Sequence, residues 1–456
     1  MNKKIILIFL AAFFIRLIAL NQSLWLDEAV TANVVRNFRL SQIISGFSPN
    51  DFHPPLYYLF MKLWTNFFGY SEIALRMPSI LFSLLTGWII YKICRLRASF
   101  AEVATKAEQG FGEPLWAAVF FLFNPLIIYY SQEARMYMMV TFFLTGALYF
   151  FISKKNQILF NLFIFLSLLT FYGSIFLVAA FLLYFLYKKQ YKNLFICLLV
   201  VFVYFLTISP LLYQQLVNSK IALTNVVNWS AVLGKANIKN LLLIPIKFSI
   251  GRISFYPKWL YWGIAGIWTG FVLFTIKTVL SKTVFIKTVF YLLITPLVIG
   301  FLVSFFTPML QYFRFIYLIP LMCLILGSSQ LLSWSDRIKI VINILILSGF
   351  LIFSLVYLLN PAFHREDWKS LVKSLPKDKP VYMIETSSDP VKYYNQSLKV
   401  LRFESSKNSK EKQIIVIPYT ADIYGLDYKK SLTKSGYQQK EVKNFRELSF
   451  EIWRRR

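Results

Sequence analysis

The chain has 456 residues, of which 57% are apolar and only 15% are charged. This composition is typical of a protein that crosses a membrane many times, and it excludes an ordinary soluble enzyme. The formal net charge of +28 does not indicate a nucleic-acid partner, because the Lys and Arg residues are concentrated in short connections between apolar runs and in the tail. The cysteines, Cys94, Cys197 and Cys323, lack the spacing of a disulfide framework or a metal site.

Apolar segments long enough to span a bilayer recur along the chain, and we predict about eleven transmembrane helices. The first segment, 5–20, lacks a convincing small-x-small cleavage site, and we interpret it as a span whose Arg16 snorkels to the interface. The others are predicted near 73–93, 114–131, 136–153, 157–173, 174–187, 194–212, 258–277, 288–306, 312–333 and 340–359.

The connections between these spans sort by charge. The basic ones carry Lys3 and Lys4, Arg95, Arg97 and Lys106, Lys154 and Lys155, Lys188, Lys189 and Lys192, Lys277, Lys282 and Lys287, and Arg337 and Lys339. The positive-inside rule assigns them to the cytoplasm. We therefore predict a plasma-membrane or inner-membrane protein whose Asp27 loop, Glu133 turn, 213–257 loop, Arg314 turn and tail face outward.

The first outer loop, 21–72, contains an adjacent acid pair, Asp27 and Glu28, and one of only two histidines, His53. Acids just beyond a span lie where the dielectric falls, so a shifted pKa or a bound cation is expected there. The alternative is a helix start in which Asp27 accepts amide hydrogen bonds before a helix from Ala29.

The segment 54–68 of this loop is too short and too interrupted by Lys62 to span the membrane. We predict a helix along the outer leaflet, with Tyr57, Tyr58 and Trp64 at headgroup level.

From about residue 360 the apolar runs shorten and alternation appears, near 381–385, 398–403, 413–419 and 448–453, with helix-like stretches near 388–396 and 422–436. We predict a membrane domain over 1–359 and a small extracytoplasmic α/β domain over 360–456. His364, Arg365, Glu366 and Asp367 are predicted to attach the tail to the outer loops.

A series of motifs runs through the chain: LWLDEA, DFHPPLYY, SEIALRMPS, YYSQEARMYMM, LTFYGS, RFIYLIP and HREDWK. In this order they resemble the GT-C membrane glycosyltransferases, and most of all the family that contains the protein O-mannosyltransferases and the lipid A aminoarabinose transferase. The resemblance covers nearly the whole membrane part.

That resemblance implies a polytopic GT-C fold and an inverting transferase that moves a sugar from a polyprenyl-phosphate carrier to an extracytoplasmic protein, lipid or glycan acceptor. It implies that Asp27 is the base or the carboxylate that orients the acceptor, and that Glu28 is the second acid of the motif. His53 stands where the aminoarabinose branch has a lysine, and Tyr172 stands where relatives often have histidine.

The residues favour the same chemistry. Displacing a phosphate-linked sugar requires a carboxylate to accept the hydroxyl proton, and cations or donors to stabilise the leaving phosphate. Asp27 supplies the first, and the substrate-binding candidates are Glu28, His53, Glu133, Arg135, Arg314 and Tyr317. We predict catalysis without a metal, although Asp27 and Glu28 could hold a divalent cation.

Each candidate has a simpler alternative. Glu133 and Arg135 could form a local pair, Arg314 could snorkel, and Arg76 and Glu72 could orient the Asp27 loop. Lys247 and Arg252 are interpreted as interfacial anchors. A transporter or lipid flippase is the rival function, but it should have ionisable residues near the bilayer midplane and internal repeats, and we find no repeat. A binding or scaffold protein would not need Asp27.

Overall fold

The protein is described here by a computed structural model that covers residues 3–103, 115–376, 379–409 and 411–456. Lys106, one of the residues used to predict the topology, lies outside the described residues. The helices before the C-terminal domain are α1 Lys3–Leu17, α2 Leu26–Asn37, α3 Leu40–Gln42, α4 Leu56–Phe68, α5 Glu72–Val103, α6 Trp116–Leu122, α7 Pro125–Ser131, α8 Tyr137–Ser153, α9 Gln157–Thr170, α10 Ile175–Tyr187, α11 Tyr191–Asn225, α12 Trp229–Leu233, α13 Ile238–Ile250, α14 Lys258–Val279, α15 Val284–Val303, α16 Ile319–Gly327 and α17 Asp336–Leu359.

Five helices of the described chain, α5, α11, α14, α15 and α17, are long and apolar enough to cross a membrane. Shorter apolar helical segments accompany them at Tyr137–Ser153, Gln157–Thr170, Tyr172–Tyr187 and Tyr312–Gly327. Large apolar side chains such as Phe195, Phe202 and Leu206 of α11 are exposed, as expected for a surface whose solvent is lipid. These features confirm a polytopic α-helical membrane protein, whereas the number of spans is not fixed by them.

The predicted span at 114–131 is a broken helix. Asn124 ends α6 and caps α7, because its side-chain oxygen accepts the amide hydrogens of Leu126 and Ile127 at 3.0 and 3.1 Å. Its side-chain nitrogen donates to the carbonyl of Phe248 at 2.8 Å. Pro125 follows at the first helical position, where a backbone N–H would have no acceptor within the helix, so that its absence costs no hydrogen bond. The break turns the chain so that the 132–136 turn reaches the Asp27 loop.

The predicted outer loop 213–257 is mostly helical. It contains the end of α11, which has 35 residues, together with α12 and α13. Lys247 of α13 is 8% exposed and donates to the carbonyl of Ile253 and the hydroxyl of Tyr261, each at 3.0 Å. The prediction that Lys247 is an interfacial anchor is therefore wrong.

Two further predictions, for Arg16 and for the tyrosines of the 54–68 helix, are wrong. Arg16 is fully buried, and it donates to the Ser83 hydroxyl at 3.0 Å and to the carbonyls of Ala12 and Leu122, so it does not snorkel. The predicted helix at 54–68 is present as α4. However, Tyr57 and Tyr58 are each only 2% exposed and pack inside the protein, away from any headgroup layer.

Two of the basic connections lie at helix ends far from Asp27. α8 begins two residues after Arg135 and ends before Lys154 and Lys155, about 25 Å further along its axis. In the opposite direction, α17 begins beside Arg337 and leads into the C-terminal domain after Leu359. The Asp27 loop and the C-terminal domain therefore share one end of the helical part.

The C-terminal domain is a mixed sheet with three helices, α18 Trp368–Ser374, α19 Asp389–Tyr394 and α20 Tyr428–Lys434. The strands are β1 Val381–Met383, β2 Val400–Arg402, β3 Gln413–Val416, β4 Tyr437–Phe445 and β5 Leu448–Arg455, in the order β2-β1-β3-β5-β4. β1 is parallel to β2 and β3, while β5 is antiparallel to β3 and β4. Four strands match the prediction, and β4 is an addition to it.

The C-terminal domain packs directly against α2. The Asn33 side chain donates to the Asp389 carboxylate at 2.8 Å, and the amide of Leu24 donates to the Tyr394 hydroxyl at 2.8 Å. The Tyr393 hydroxyl donates to the carbonyl of Tyr70 at 2.7 Å. α2 is thus held between the two parts of the chain, and its first turn carries Asp27.

Candidate active site

The acid pair lies in the first turn of α2, where negative charge interacts favourably with the helix dipole. Trp25 is extended, and its amide donates to Glu28 at 3.4 Å, which marks the start of the helix. Consecutive helical residues point about 100° apart. Asp27 and Glu28 therefore face different surroundings.

Glu28 is fully buried and forms a two-pronged ion pair with Arg76, with N–O distances of 2.8 and 2.6 Å. One of its oxygens also accepts the amide of Ala134 at 2.7 Å. Both oxygens are thus engaged within the protein, and the role of Glu28 in substrate binding stays a prediction. Glu28 joins α2, α5 and the 132–136 turn.

Arg76 makes further hydrogen bonds that hold these elements together. Besides binding Glu28, its guanidinium donates to the carbonyls of Leu20, Gln22 and Ser23, at 2.8, 2.7 and 3.0 Å. A buried charge that is paired and fully hydrogen-bonded is the form in which such a group is tolerated. Arg76 therefore orients the Asp27 loop, as predicted. Glu72, for which the same role was predicted, instead pairs with Lys369 at 3.0 Å.

Asp27 faces a different partner, Arg135, at 3.5 Å between Oδ2 and Nη2. The Asp27 side chain is 37% exposed, whereas that of Arg135 is only 4% exposed. Burial acts to lower the pKa of Arg135, but Asp27, Tyr58, Tyr137 and Asp51 together outweigh it, and the pKa lies well above its ordinary value. Arg135 is thus a fixed positive charge beside an accessible carboxylate, and its Nε has no partner in the described chain.

Asp51 joins this cluster and was not predicted. Its carboxylate lies 3.4 Å from Nδ1 of His53. Burial alone would raise the pKa of Asp51, but His53 and Arg135 lower it below its ordinary value. The only sequence signal was its place in DFHPP, two residues before His53.

The segment that carries Asp51 and His53 is held by Gln215 of α11. Gln215 is 3% exposed; its amide nitrogen donates to the carbonyls of Ser48 and His53, at 2.7 and 3.1 Å. Its oxygen accepts the Tyr172 hydroxyl at 2.5 Å. Tyr172 therefore supports this segment through Gln215.

Replacing Gln215 by leucine should loosen the 46–53 segment. The change approximately keeps the volume but removes a donor from the Ser48 and His53 carbonyls and the acceptor of the Tyr172 hydroxyl. Each polar group left unsatisfied in the interior costs about 1–3 kcal/mol. We expect faster amide hydrogen exchange over 46–53, measured by mass spectrometry. Asn193→Leu, at the other end of α11, is the matched control and should leave this segment unchanged; equal exchange in wild type and Gln215→Leu would disprove the role.

A second charged cluster adjoins the first. Glu133 does not form the predicted local pair with Arg135. Its carboxylate instead binds Arg365 of the C-terminal domain, with 2.6 Å between Oε1 of Glu133 and Nη2 of Arg365. The Arg365 guanidinium lies 3.7 Å from the centre of the Trp25 ring. Burial acts to lower the pKa of Arg365, but Glu133, Tyr129, Tyr130 and Glu366 together raise it well above its ordinary value. Glu133 thus helps to dock the C-terminal domain, and its other oxygen has no partner in the described residues.

Arg252 belongs to the edge of this second cluster. It hydrogen-bonds the Tyr129 hydroxyl and lies over the Tyr129 ring, at 5.1 Å from its centre. It is therefore engaged with the protein and is not a simple interfacial anchor.

Arg314 and Tyr317, two other predicted substrate-binding residues, differ from each other in their surroundings. Arg314 is partly buried over the Phe313 ring, at 6.0 Å from its centre, and its guanidinium has no ion pair or hydrogen bond within the described chain. Phe313 in turn packs edge-to-face on Tyr137, with 5.8 Å between ring centres. Tyr317 is 1% exposed, and its hydroxyl donates to the Gly173 carbonyl at 2.8 Å. The hydroxyl therefore points into the packed interior, a position that does not support the predicted contact of Tyr317 with a substrate.

The described residues contain no group of three or more His, Cys, Asp or Glu arranged to hold a metal ion. The Glu28 oxygens are engaged by Arg76, and a divalent cation at Asp27 and Glu28 stays a prediction. The candidate active site therefore consists of Asp27, Asp51, His53 and Arg135, with the Glu133–Arg365 pair adjoining it.

This architecture has the GT-C-like fold that the motif order predicted, and similar solved structures share it. The structure of ArnT from Cupriavidus metallidurans bound to undecaprenyl phosphate is similar, with a TM-score of 0.58 and 13% identity over 98% of this chain and 97% of that chain. The apo structure of the same protein has a TM-score of 0.60 and 12% identity over the same shares. Residues 42–236 also match the family model of the GPI transamidase subunit PIG-U. A comparison of the sequence with curated proteins finds no match.

Proposed function

We propose that the protein is an inverting glycosyltransferase that moves a sugar from a polyprenyl-phosphate carrier to an extracytoplasmic acceptor. The observation that carries the proposal is the pairing of a partly exposed carboxylate, Asp27, with a buried cation, Arg135, at 3.5 Å. The ArnT structure of similar fold, which is bound to undecaprenyl phosphate, supports the lipid part of the donor.

The proposed reaction is a single displacement. Asp27 accepts the proton of the acceptor hydroxyl while the oxygen of that hydroxyl forms a bond to the anomeric carbon. The bond between this carbon and the phosphate oxygen breaks, and the polyprenyl phosphate leaves with the electron pair. Arg135, His53 and Arg314 would stabilise the negative charge on the leaving phosphate. Attack from the face opposite the leaving group inverts the anomeric centre.

The extracytoplasmic location rests on charge distribution. The basic connections at the helix ends far from Asp27 would face the cytoplasm under the positive-inside rule. The candidate active site and the C-terminal domain would then face outward, where a polyprenyl-linked sugar is used. We propose that the chain resides in the plasma or inner membrane.

The match to PIG-U favours a second candidate, a non-catalytic subunit of a larger membrane enzyme, because that protein is described as a GPI transamidase subunit. The matched residues, 42–236, do not include Asp27. A subunit of this kind would tolerate the loss of Asp27. A transporter is less well supported, because the charged clusters gather at one end of the helical part.

Reconstitution tests the proposal. The purified protein would be placed in proteoliposomes with undecaprenyl-phosphate-linked sugars, and extracts of cell-envelope glycans would be added as acceptors. Release of undecaprenyl phosphate with labelling of the acceptor is expected. Mass spectrometry of envelope glycans from cells with and without the protein identifies the product. Absence of both transfer and undecaprenyl phosphate binding would overturn the proposal.

A further inference from the structure

The C-terminal domain brings a carboxylate close to Asp27 that the proposed reaction does not use. Glu366, in the link between α17 and α18, is 9% exposed, and its Oε1 accepts the Tyr419 hydroxyl at 3.1 Å. Its Oε2 is buried and has no hydrogen-bond partner in the described chain. An ionised carboxylate can only accept hydrogen bonds, so this oxygen requires an O–H or N–H donor.

Aromatic side chains border this carboxylate. Tyr419 packs edge-to-face on Trp368, with 4.9 Å between ring centres. Trp368 itself is fully buried in the core of the domain. The ring of Trp25 lies against Arg365, the neighbour of Glu366 in the sequence, and its buried indole N–H has no acceptor among the described residues. Acceptor oxygens, an indole donor and ring faces together suit a ligand that carries several hydroxyl groups on an apolar ring.

Asp27 is near the same group. Burial first, then the Glu366 and Asp27 carboxylates, raise the pKa of Tyr419 far above its ordinary value. The amide of Lys369 donates to the Ser23 hydroxyl at 3.1 Å, which fixes the start of α18 to the segment before α2. The Trp25 ring, two residues before Asp27, contacts Arg365 at 3.7 Å. Asp27 therefore lies beside Arg135 of the helical part and close to the start of the C-terminal domain.

The charges around Glu366 disfavour an anionic ligand. Arg365, its neighbour in the sequence, is already bound to Glu133. A phosphate group beside Glu366 and Asp27 would meet two like charges, whereas neutral hydroxyl groups would supply the missing donors.

We propose that Glu366 and Tyr419, together with the indole of Trp25, form a subsite for a neutral carbohydrate acceptor next to Asp27. The inference rests on the proposed function, and it assigns to the C-terminal domain the recognition of the acceptor. Glu366 and Tyr419 bind the hydroxyl groups of the acceptor, and Asp27 takes the proton of the hydroxyl that reacts.

The test measures binding of methyl glycosides of glucose, galactose, mannose and N-acetylglucosamine to the full chain in detergent, by tryptophan fluorescence at millimolar concentrations. We expect at least one to bind. Glu366→Gln should weaken that binding by about tenfold or more, because a hydrogen bond to a charged group is lost. Tyr419→Phe should have a smaller effect. Glu385→Gln, an exposed carboxylate of the same domain paired with Arg402, is the matched control and should bind as wild type does.

Binding of undecaprenyl phosphate, measured in parallel, separates the outcomes. Unchanged lipid binding with weakened glycoside binding in Glu366→Gln supports the subsite. The proposal is overturned if no glycoside binds to the wild type, if Glu366→Gln binds as well as wild type, or if lipid and glycoside binding fall together. A wild type that binds glycosides but not undecaprenyl phosphate would keep the subsite and contradict the proposed function.

Discussion

Replacing Asp27 by asparagine is expected to lower the rate of sugar transfer by about 10²- to 10⁴-fold, the range in which a positioned base contributes. Asparagine keeps the size of the side chain but cannot accept a proton at neutral pH. Transfer would be measured in proteoliposomes with an undecaprenyl-phosphate-linked sugar. The stability should change little, because the Asp27 side chain is 37% exposed and its ion pair is therefore partly screened.

Asp336→Asn is the control for this variant. Asp336 is 91% exposed at the opposite end of the helical part and pairs only with Lys339 at 3.2 Å. Transfer by Asp336→Asn should equal that of wild type. If Asp27→Asn also transferred at the wild-type rate, Asp27 would be neither base nor orienting group, and the non-catalytic subunit would become the better explanation.

Replacing Arg76 by alanine is expected to produce the largest loss of stability. It leaves Glu28 as a buried charge without its partner and removes the donors of three loop carbonyls. Breaking a buried ion pair in this way typically costs about 3–5 kcal/mol. Thermal unfolding in detergent would show a strongly lowered midpoint or no folded protein.

A double variant keeps this prediction testable when Arg76→Ala does not fold. Glu28→Gln with Arg76→Met removes both charges, so it should be less destabilised than Arg76→Ala alone. Arg402→Ala breaks an exposed pair with Glu385 and should cost no more than about 1 kcal/mol. A double variant that is as unstable as Arg76→Ala would show that the unpaired charge is not the cause.

The membrane part could be predicted because hydrophobicity over about 20 residues depends on local sequence alone. The break between α6 and α7 was missed, although Asn124 followed by Pro125 is a helix-start signal, because the surrounding residues are uniformly apolar. β4 was missed for the opposite reason. Its sequence, YQQKEVKNF, is largely exposed at the edge of the sheet and lacks apolar alternation.

The candidate active site was predictable only where a motif marked it. Asp27 and Arg135 stood out as charges beside apolar segments, and the structure brings them together. Asp51 did not stand out, since an acid in a loop is ordinarily solvated. The link between Glu133 and Arg365 spans 232 positions and depends on how the C-terminal domain docks, so no local pattern could reveal it.

The different placement of Asp27 and Glu28 could not be read from their adjacency. Both are acids in the first turn of one helix, and only the packing of α5 and the 132–136 turn decides that Glu28 is enclosed. Arg16 shows the same limit. It is buried against Ser83 and main-chain carbonyls because two neighbouring helices happen to offer acceptors there.

The length of α11 makes the thickness of the bilayer relevant to the chemistry. Its 35 residues extend for about 52 Å, well beyond a hydrocarbon layer of about 30 Å. Gln215 and Asn218, near the protruding end, hold the 48–53 segment by its carbonyls. Lipids with longer or shorter acyl chains would tilt or shift this helix. Because the tip holds the segment that carries His53, we expect the rate of the proposed transfer to depend on acyl-chain length.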